Sequence, residues 1–471
     1  MELFISFKFF IIAFFIILKL SKEERELRWA FELFRHGART PYSGMTEDFK
    51  DCFGQQWNGL KELTGVGLRQ HFLVGYRNRI RYMEENNLIS PIYDPREVYL
   101  ISTDSNRTIM SANAQVQGLY LPGTGPTLFQ NQSDIAIPPV EEENIKEEKD
   151  KLDENNCTVL PNQINIMPIH SFFTKDHFIQ LQDKKVCPNA KKIYKKNQER
   201  KEVVNFLKKM TEKYGKKIAS ISNEAEDALN NYTKAYYIFD TFIAQYTEGL
   251  PIFEDNLKKM KVTKDEILND SFKFFEYDLI GNGIDNDEQL CLHSMSPIFD
   301  RLINWTDSKI EKDRNNSENY IGYDLPKFVM FSAHDSTCAA FMGFMKAVYG
   351  TKIVYPKFAT NINLELYRKD NKYYIEYYIN DEFMGEFEYN EFVKKFRNKR
   401  KSTKEINEFC GFEKKEEEDN DIYLFINITL SIMSVILIIL ILITIKKKKS
   451  KNTNIDIDNA EPLNKFSETQ N

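Results

Sequence analysis

Trp29-Ala30-Phe31-Glu32-Leu33-Phe34-Arg35-His36-Gly37-Ala38-Arg39-Thr40-Pro41 opens the folded part of this chain as a β-type run that ends on a polar turn. In that turn Arg35 precedes His36 directly, Arg39 follows three residues later, and Gly37 opens the bend. A guanidinium is the side chain best matched to phosphate oxygens, because its planar fork donates two parallel hydrogen bonds. A histidine held between two such forks is kept from protonating, since like charges disfavour the imidazolium. A neutral imidazole beside a captured phosphate is a nucleophile.

Two further stretches share the design of β-type run, polar turn and helix-like segment. Glu97-Val98-Tyr99-Leu100-Ile101 ends on Ser102-Thr103-Asp104, with Arg107 at the start of the next helical stretch. Phe328-Val329-Met330-Phe331 ends on Ser332-Ala333-His334-Asp335, followed by a helical run through Tyr349. Taken singly, Ser-Thr-Asp before a helix is an N-cap and His-Asp is only a dipeptide. Together they describe short buried strands alternating with helices, hence an α/β fold with a central, mostly parallel sheet. In such sheets the ligand crevice lies at the carboxyl ends of the strands, where the connections diverge. All the reactive-looking residues fall at such ends.

Around this core, residues 141–156 form a dense charge run, and residues 190–305 read as mostly helical, a helical insertion or cap spanning about 125–305. Phe358 to Leu366 and Tyr373 to Ile379 read as two strands around a turn at Asp370-Asn371-Lys372. Residues 401–421 are charged and read as a stalk.

With 471 residues, 42% hydrophobic and 13% aromatic content, the chain is globular with ample core. A net charge of −6 is too mild to point to nucleic acid. Residues 1–21 have the pattern of a signal peptide. A second apolar segment, 422–445, is long enough to cross a bilayer as one helix and ends in Lys446-Lys447-Lys448-Lys449. The expectation is a single-pass type I membrane protein with a catalytic body at 22–400 outside the cytosol and a cytosolic tail at 446–471. Eight Asn-x-Ser/Thr sequons and six cysteines agree with an oxidising, glycosylating compartment. Six cysteines allow 15 pairings, and spacing fixes none of them. No Cys/His spacing suggests zinc, so no metal and no cofactor are expected.

At this level of detail the sequence resembles the histidine acid phosphatases, in particular the membrane-anchored lysosomal and prostatic type. Arg35-His36-Gly37-Ala38-Arg39-Thr40-Pro41 matches the RHGxRxP signature. Ser102-Thr103-Asp104 with Arg107-Thr108 matches the second arginine motif, and His334-Asp335 matches the catalytic pair. Leu63-Thr64, Gly67, Gln70-His71 and Gly75 resemble the helix after the first motif. The likeness runs from about Trp29 to Phe396 and is weakest in the insertion.

The resemblance implies a phosphoglycerate-mutase-like three-layer core and hydrolysis of phosphate monoesters through a phosphohistidine. His36 would be the nucleophile and Asp335 the general acid; Arg35, Arg39, Arg107 and His334 would bind the phosphoryl oxygens. It also implies disulfides Cys187–Cys291 and Cys157–Cys410, and leaves room for a homodimer. An inositol-polyphosphate phosphatase and a catalytically silent surface-binding protein on the same scaffold are the alternatives. The address, whether lysosome, another acidic vesicle or the cell surface, is open. The sequon at Asn106 lies inside the second arginine motif, where a glycan would obstruct the site, and is expected to be unoccupied.

Overall fold

A computed structural model describes residues 25–42, 59–129, 131–139, 143–154, 157–172, 181, 183–279, 288–315, 326–412 and 416–452. The expected signal peptide, Cys52 and the end of the tail lie outside the described residues.

The first half runs β1 (Arg25–Arg35), α1 (Gly65–Arg79) continuing into a π-helical turn (Ile80–Glu85), β2 (Val98–Thr103), α2 (Asn106–Leu119), α3 (Glu143–Glu154) and β3 (His170–Phe172). Helices α4 (Pro188–Gln198), α5 (Lys201–Ala219), α6 (Tyr232–Thr247), α7 (Pro251–Met260), α8 (Lys264–Asp278) and α9 (Gln289–Arg314) follow. The chain then returns through β4 (Phe328–Ala333), α10 (Asp335–Tyr349), β5 (Asn361–Lys369), β6 (Lys372–Ile379), β7 (Glu382–Glu388), α11 (Tyr389–Lys399) and α12 (Thr403–Cys410). A separate helix, α13, spans Glu416–Asn452.

One seven-stranded sheet has the order β3-β2-β4-β1-β5-β6-β7. β3, β2, β4 and β1 are parallel, and β5, β6 and β7 continue from β1 as antiparallel neighbours. The parallel strands are buried on both faces, which is why they read as continuous apolar runs. Along β1, Trp29, Phe31 and Leu33 face one layer, with α9, α10 and α11; Ala30 and Phe34 face the other, with α1 and α2. This is the expected three-layer core.

Register puts Arg35 beside Ala333, and Ser102 beside Ser332. The polar turns after β1, β4 and β2 therefore lie side by side at one sheet edge. Beyond it the chain leaves β1 and β2 towards one face and β4 towards the other. That divergence opens the crevice.

Helices α5 to α8 enclose a core of their own, with Val203, Leu207, Phe239, Phe242 and Phe274 fully or nearly buried. This is the expected cap, but it ends sooner than 305. Helix α9 packs on the sheet instead, where the Phe299 ring lies 4.2 Å from that of Phe344. Two strands escaped the sequence reading. β3 has three residues, too few to show alternation, and β7 is a glutamate-rich edge strand entered through a turn with Asn380 and Asp381 at positive φ.

The compact unit extends to Gly411, past the boundary expected at 400. Ser402 and Glu405 form a reciprocal capping box that starts α12 within the segment expected as stalk. α12 buries Ile406 and Cys410 against Leu181, Ala190 and Leu290. Within that cluster Cys187 is bonded to Cys410, at a Cα separation of 4.9 Å. This corrects both expected pairings, Cys187–Cys291 and Cys157–Cys410. Leu290 faces the cluster, whereas Cys291, one residue further round the helix, faces the sheet-side core and donates to the Glu288 carbonyl at 3.2 Å. Cys157 carries no disulfide and sits in a loop with φ of 50°.

The second unit, Phe412–Asn471, contains α13. Its stretch Ile426–Lys447 covers 22 residues with a mean hydropathy of 3.0. At about 1.5 Å per residue such a helix matches a hydrocarbon core of about 30 Å.

Candidate active site

The turn that bears His36 is pinned from three sides. Its backbone lies so close to the start of α1 that a Cβ on Gly37 would come within 2.5 Å of the Gly67 carbonyl oxygen. Only glycine fits there. The His36 amide donates to the Ala333 carbonyl at 3.0 Å, the Gly37 amide to Ser111 Oγ at 3.1 Å, and the Ala38 amide to Gln70 Oε1 at 2.9 Å.

His36 is buried, and its Nδ1–H donates to the Gly37 carbonyl at 2.9 Å. That bond fixes the tautomer and leaves the Nε2 lone pair for chemistry. Burial, then the charges of Arg107, Arg35 and Arg39, hold His36 well below the ordinary imidazole range. Burial is a larger cause than the neighbouring arginines.

Each guanidinium has a different partner. Arg35 pairs with Asp335 Oδ2 at 2.8 Å and donates to the Pro356 carbonyl at 2.7 Å. Arg39 makes a two-pronged ion pair with Asp240 on the cap helix α6, at 2.9 and 3.1 Å. Arg107 donates to Ser105 Oγ at 2.8 Å and to His334 Nδ1 at 3.1 Å, both neutral groups. Among the described residues no carboxylate neutralises Arg107. In all three arginines Nε is buried without a hydrogen-bond partner. A cluster with one unneutralised cation and three orphaned N–H donors suits an anion.

His334 follows the last residue of β4 as the N-cap of α10, and Asp335 starts α10. Because Arg107 donates to His334 Nδ1, Nε2 carries the proton and donates to Thr103 Oγ1 at 3.0 Å. Burial, with Arg107 next, lowers His334 to about 3. In this arrangement both of its nitrogens are engaged, so His334 orients Arg107 across the two strand ends. For Asp335, burial acts to raise the pKa, but Arg35 and other neighbours outweigh it and hold the carboxyl below its usual value. The direct pairing with Arg35 is the largest of the lowering influences.

All six expected residues thus meet at one place. The sequence reading missed Asp240, a lone carboxylate within the apolar run Tyr236-Tyr237-Ile238-Phe239-Asp240-Thr241-Phe242. A charge isolated in such a run, 3% exposed in the structure, was the available signal. The aromatic rim was missed as well. Phe358 lies 4.5 Å from Arg35 and 5.9 Å from the His36 ring. Tyr42 stacks on Arg39 at 4.4 Å and meets Tyr236 edge-on at 5.6 Å. Among the described residues, no three His, Cys, Asp or Glu side chains converge as metal ligands would.

Residues 26–380 match the profile of the histidine phosphatase superfamily, branch 2. The chain belongs to that family. It is 26% identical over 370 residues to the lysosomal acid phosphatase of Xenopus laevis, covering 77% of this chain and 72% of that protein. To the prostatic acid phosphatase of Bos taurus it is 23% identical over 360 residues, covering 76% and 78%. Among solved structures, the Hafnia alvei phytase in complex with myo-inositol hexakis sulphate superposes with a TM-score of 0.50 at 14% identity. That match covers 82% of this chain and 98% of the phytase, and is a likeness of fold alone. With acid phosphatases alike over most of its length, the chain is a phosphoric monoester hydrolase of the acid-phosphatase type.

Proposed function

We propose that this phosphatase works through a phosphohistidine at His36, with Asp335 as the proton donor and Arg35, Arg39 and Arg107 holding the phosphoryl group. The observation that carries this reading is a buried, neutral His36 whose Nε2 is left unbound by the Nδ1–H bond to Gly37, beside three orphaned guanidinium Nε groups. At pH 5 a histidine of ordinary pKa would be only about 3% neutral. Burial and the arginines remove that obstacle, so the nucleophile is ready in acid.

His36 Nε2 would attack phosphorus, the P–O ester bond would break, and the leaving alkoxide would take a proton from Asp335. Water, deprotonated by Asp335, would then cleave the P–N bond to release phosphate and restore His36. The arginines stabilise the charge that builds on the equatorial oxygens. A substrate dianion beside Asp335 counters Arg35 and so favours the protonated carboxyl. A substrate arriving as the monoanion brings the proton that Asp335 lacks in the empty site. His334 holds Arg107 in place for the same oxygens.

The rim favours monophosphate esters over inositol polyphosphates. Asp240 and Asp278, which accepts from Tyr232 at 2.6 Å and interacts electrostatically with Asp335, add negative charge on the cap side that disfavours further phosphates. Tyr42, Tyr236 and Phe358 offer flat apolar surfaces to an organic leaving group.

The same reading makes 1–21 a cleaved signal, 422–445 the single span and 446–471 a cytosolic tail, with the glycosylated catalytic body in an acidic lumen or outside the cell. Lysosomal acid phosphatases among the relatives support an acidic address. The direct test is His36→Ala in the full chain purified in detergent. Hydrolysis of p-nitrophenyl phosphate at acidic pH should fall by roughly 10³-fold or more. Equal rates would refute the mechanism, and an inactive wild type would favour a binding protein on this scaffold.

A further inference from the structure

Behind the nucleophile turn lies a buried polar chain that the mechanism does not use. Glu32 points from β1 into the layer of α1 and α2, and is fully buried with His71 and Gln115. Gln115 Nε2 lies 2.5 Å from Glu32 Oε2, and Asn78 Nδ2 lies 2.7 Å from the same oxygen. His71 Nδ1 lies 3.0 Å from Gln115 Oε1, and His71 Nε2 lies 3.0 Å from the backbone carbonyl of Arg35. Close packing of the two helices brings these groups together: a Cβ on Gly75 would come within 2.0 Å of the Gln115 carbonyl.

The donors and acceptors do not balance if Glu32 is a carboxylate and His71 is neutral. Both nitrogens of His71 face oxygens, and a neutral imidazole has one N–H. Two arrangements satisfy every contact. In one, a His71 imidazolium donates to both oxygens and Glu32 is ionised. In the other, Glu32 is a carboxylic acid donating to the Gln115 carbonyl, the turned Gln115 amide donates to His71 Nδ1, and His71 Nε2–H donates to Arg35. Both hold the same number of protons, one more than the unbalanced state.

We propose that Glu32 and His71, joined through Gln115, share one buried proton that fixes the Arg35 carbonyl, and that losing it loosens the anion-binding turn. All three are positioning residues, because they act through Arg35 and His36. The proposal rests on the phosphatase reading for its readout but on donor counting for its substance. Burial raises Glu32 to about 7, against Arg77, Asn78 and Gln115, and burial lowers His71 to about 4. The proton therefore resides on Glu32 and is held throughout the acidic range.

Arg77 on α1 pairs with Asp381 and donates to Asn78 Oδ1 at 2.7 Å. Tyr82 donates to Glu365, which is itself paired with Arg81. Among the described residues, His71 otherwise meets the ring of Phe34, at 5.1 Å.

The test is the pH dependence of competitive inhibition by tungstate, measured between pH 5 and 9 on the full chain in detergent with an aryl phosphate whose leaving group needs no proton. For the wild type the inhibition constant should weaken by about tenfold across neutrality, the effect of about one lost hydrogen bond. Glu32→Gln keeps the amide chain without a titrating group, and should match wild type at pH 5 while losing that step. His71→Gln retains a donor for the Arg35 carbonyl and should lose the step too. Difference infrared spectra supply a second readout, independent of anion binding. A neutral carboxylic acid should be present at pH 5, vanish above neutrality and be missing from Glu32→Gln.

A wild-type step that survives Glu32→Gln, or no carboxylic acid at pH 5, overturns the proposal. If wild type neither hydrolyses substrate nor binds tungstate, the phosphatase reading fails instead, and the infrared titration still decides whether the proton is there.

Discussion

Replacing Asp240 by Asn separates the structural from the electrostatic role of the cap. Asp240 accepts both prongs of Arg39 at 2.9 and 3.1 Å and the Tyr42 amide at 2.7 Å. The side chains of Arg39 and Asp240 are only 2% and 4% exposed. Two unit charges about 3 Å apart attract by roughly 5 kcal/mol at an effective dielectric of about 20. Breaking one side of a buried pair costs about 3–5 kcal/mol, and Asn keeps one of the hydrogen bonds, so a loss of about 3 kcal/mol is expected.

Phosphate should offset part of that loss, because the anion supplies Arg39 with the counter-charge that Asn cannot. A ligand at 100 times its Kd stabilises the folded state by about 2.7 kcal/mol, and tighter binding at fixed concentration stabilises it more. In Asp240→Asn the inhibition constant for phosphate should therefore fall by about tenfold, roughly 1.4 kcal/mol. The assay is competitive inhibition at pH 5, alongside denaturant unfolding with and without phosphate. Wild-type-like or weaker phosphate binding would refute the argument, and Asp240 would then be a structural strut.

Asp335→Asn should lower kcat/KM, which covers only the steps up to release of the alcohol, by roughly 10²–10⁴-fold for an alkyl phosphate and far less for p-nitrophenyl phosphate, because nitrophenolate leaves without a proton. Equal losses on both would remove Asp335 as the acid. Since Arg35 holds Asp335 ionised in the empty site, wild-type kcat/KM should follow the substrate monoanion and fall above about pH 6, where the second phosphate proton leaves. A rate that instead rose from pH 6 to 8 would contradict delivery of the proton by the substrate. Cys410→Ser should cost about 2–5 kcal/mol, because Cys187–Cys410 closes a separation of 223 residues, and turnover at low temperature should not change. Peptide mapping without reduction should recover Cys187 joined to Cys410, and a Cys187–Cys291 peptide would contradict the structure.

What the sequence disclosed followed from periodicity and local chemistry. β1, β2 and β4 are buried apolar runs that end on polar turns, so the strands, the crevice and the six candidate residues that meet there could be read without coordinates. The missed features depend on distance along the chain. Asp240 lies 201 residues from the arginine it neutralises. The partner of Cys187 was obscured because adjacent residues at the start of α9 face different cores. Residues 401–411 looked like stalk because charge density is read before a capping box. Glu32 sits inside the quoted opening stretch, yet its neighbours on α1 and α2 were needed to show what holds it.

The charge arrangement explains why a site so rich in arginine can fold before substrate arrives. Three guanidiniums, two buried and one half-buried, beside one imidazole would repel one another strongly without counter-charges. Asp335 neutralises Arg35, Asp240 neutralises Arg39, and Arg107 is left with neutral partners, its own pKa lowered by burial and by Arg39. The two carboxylates have different fates. In the proposed mechanism Asp335 would be released from Arg35 as phosphate takes its place, and the proton it would then accept is the one the leaving group needs. Asp240 belongs to the cap and keeps its hold on both Arg39 and the Tyr42 backbone. A phosphate monoester therefore meets a site with one unneutralised cation, one counter-ion it can displace and one it cannot. Under the proposed mechanism that combination would bind the anion while limiting how tightly the product phosphate is retained.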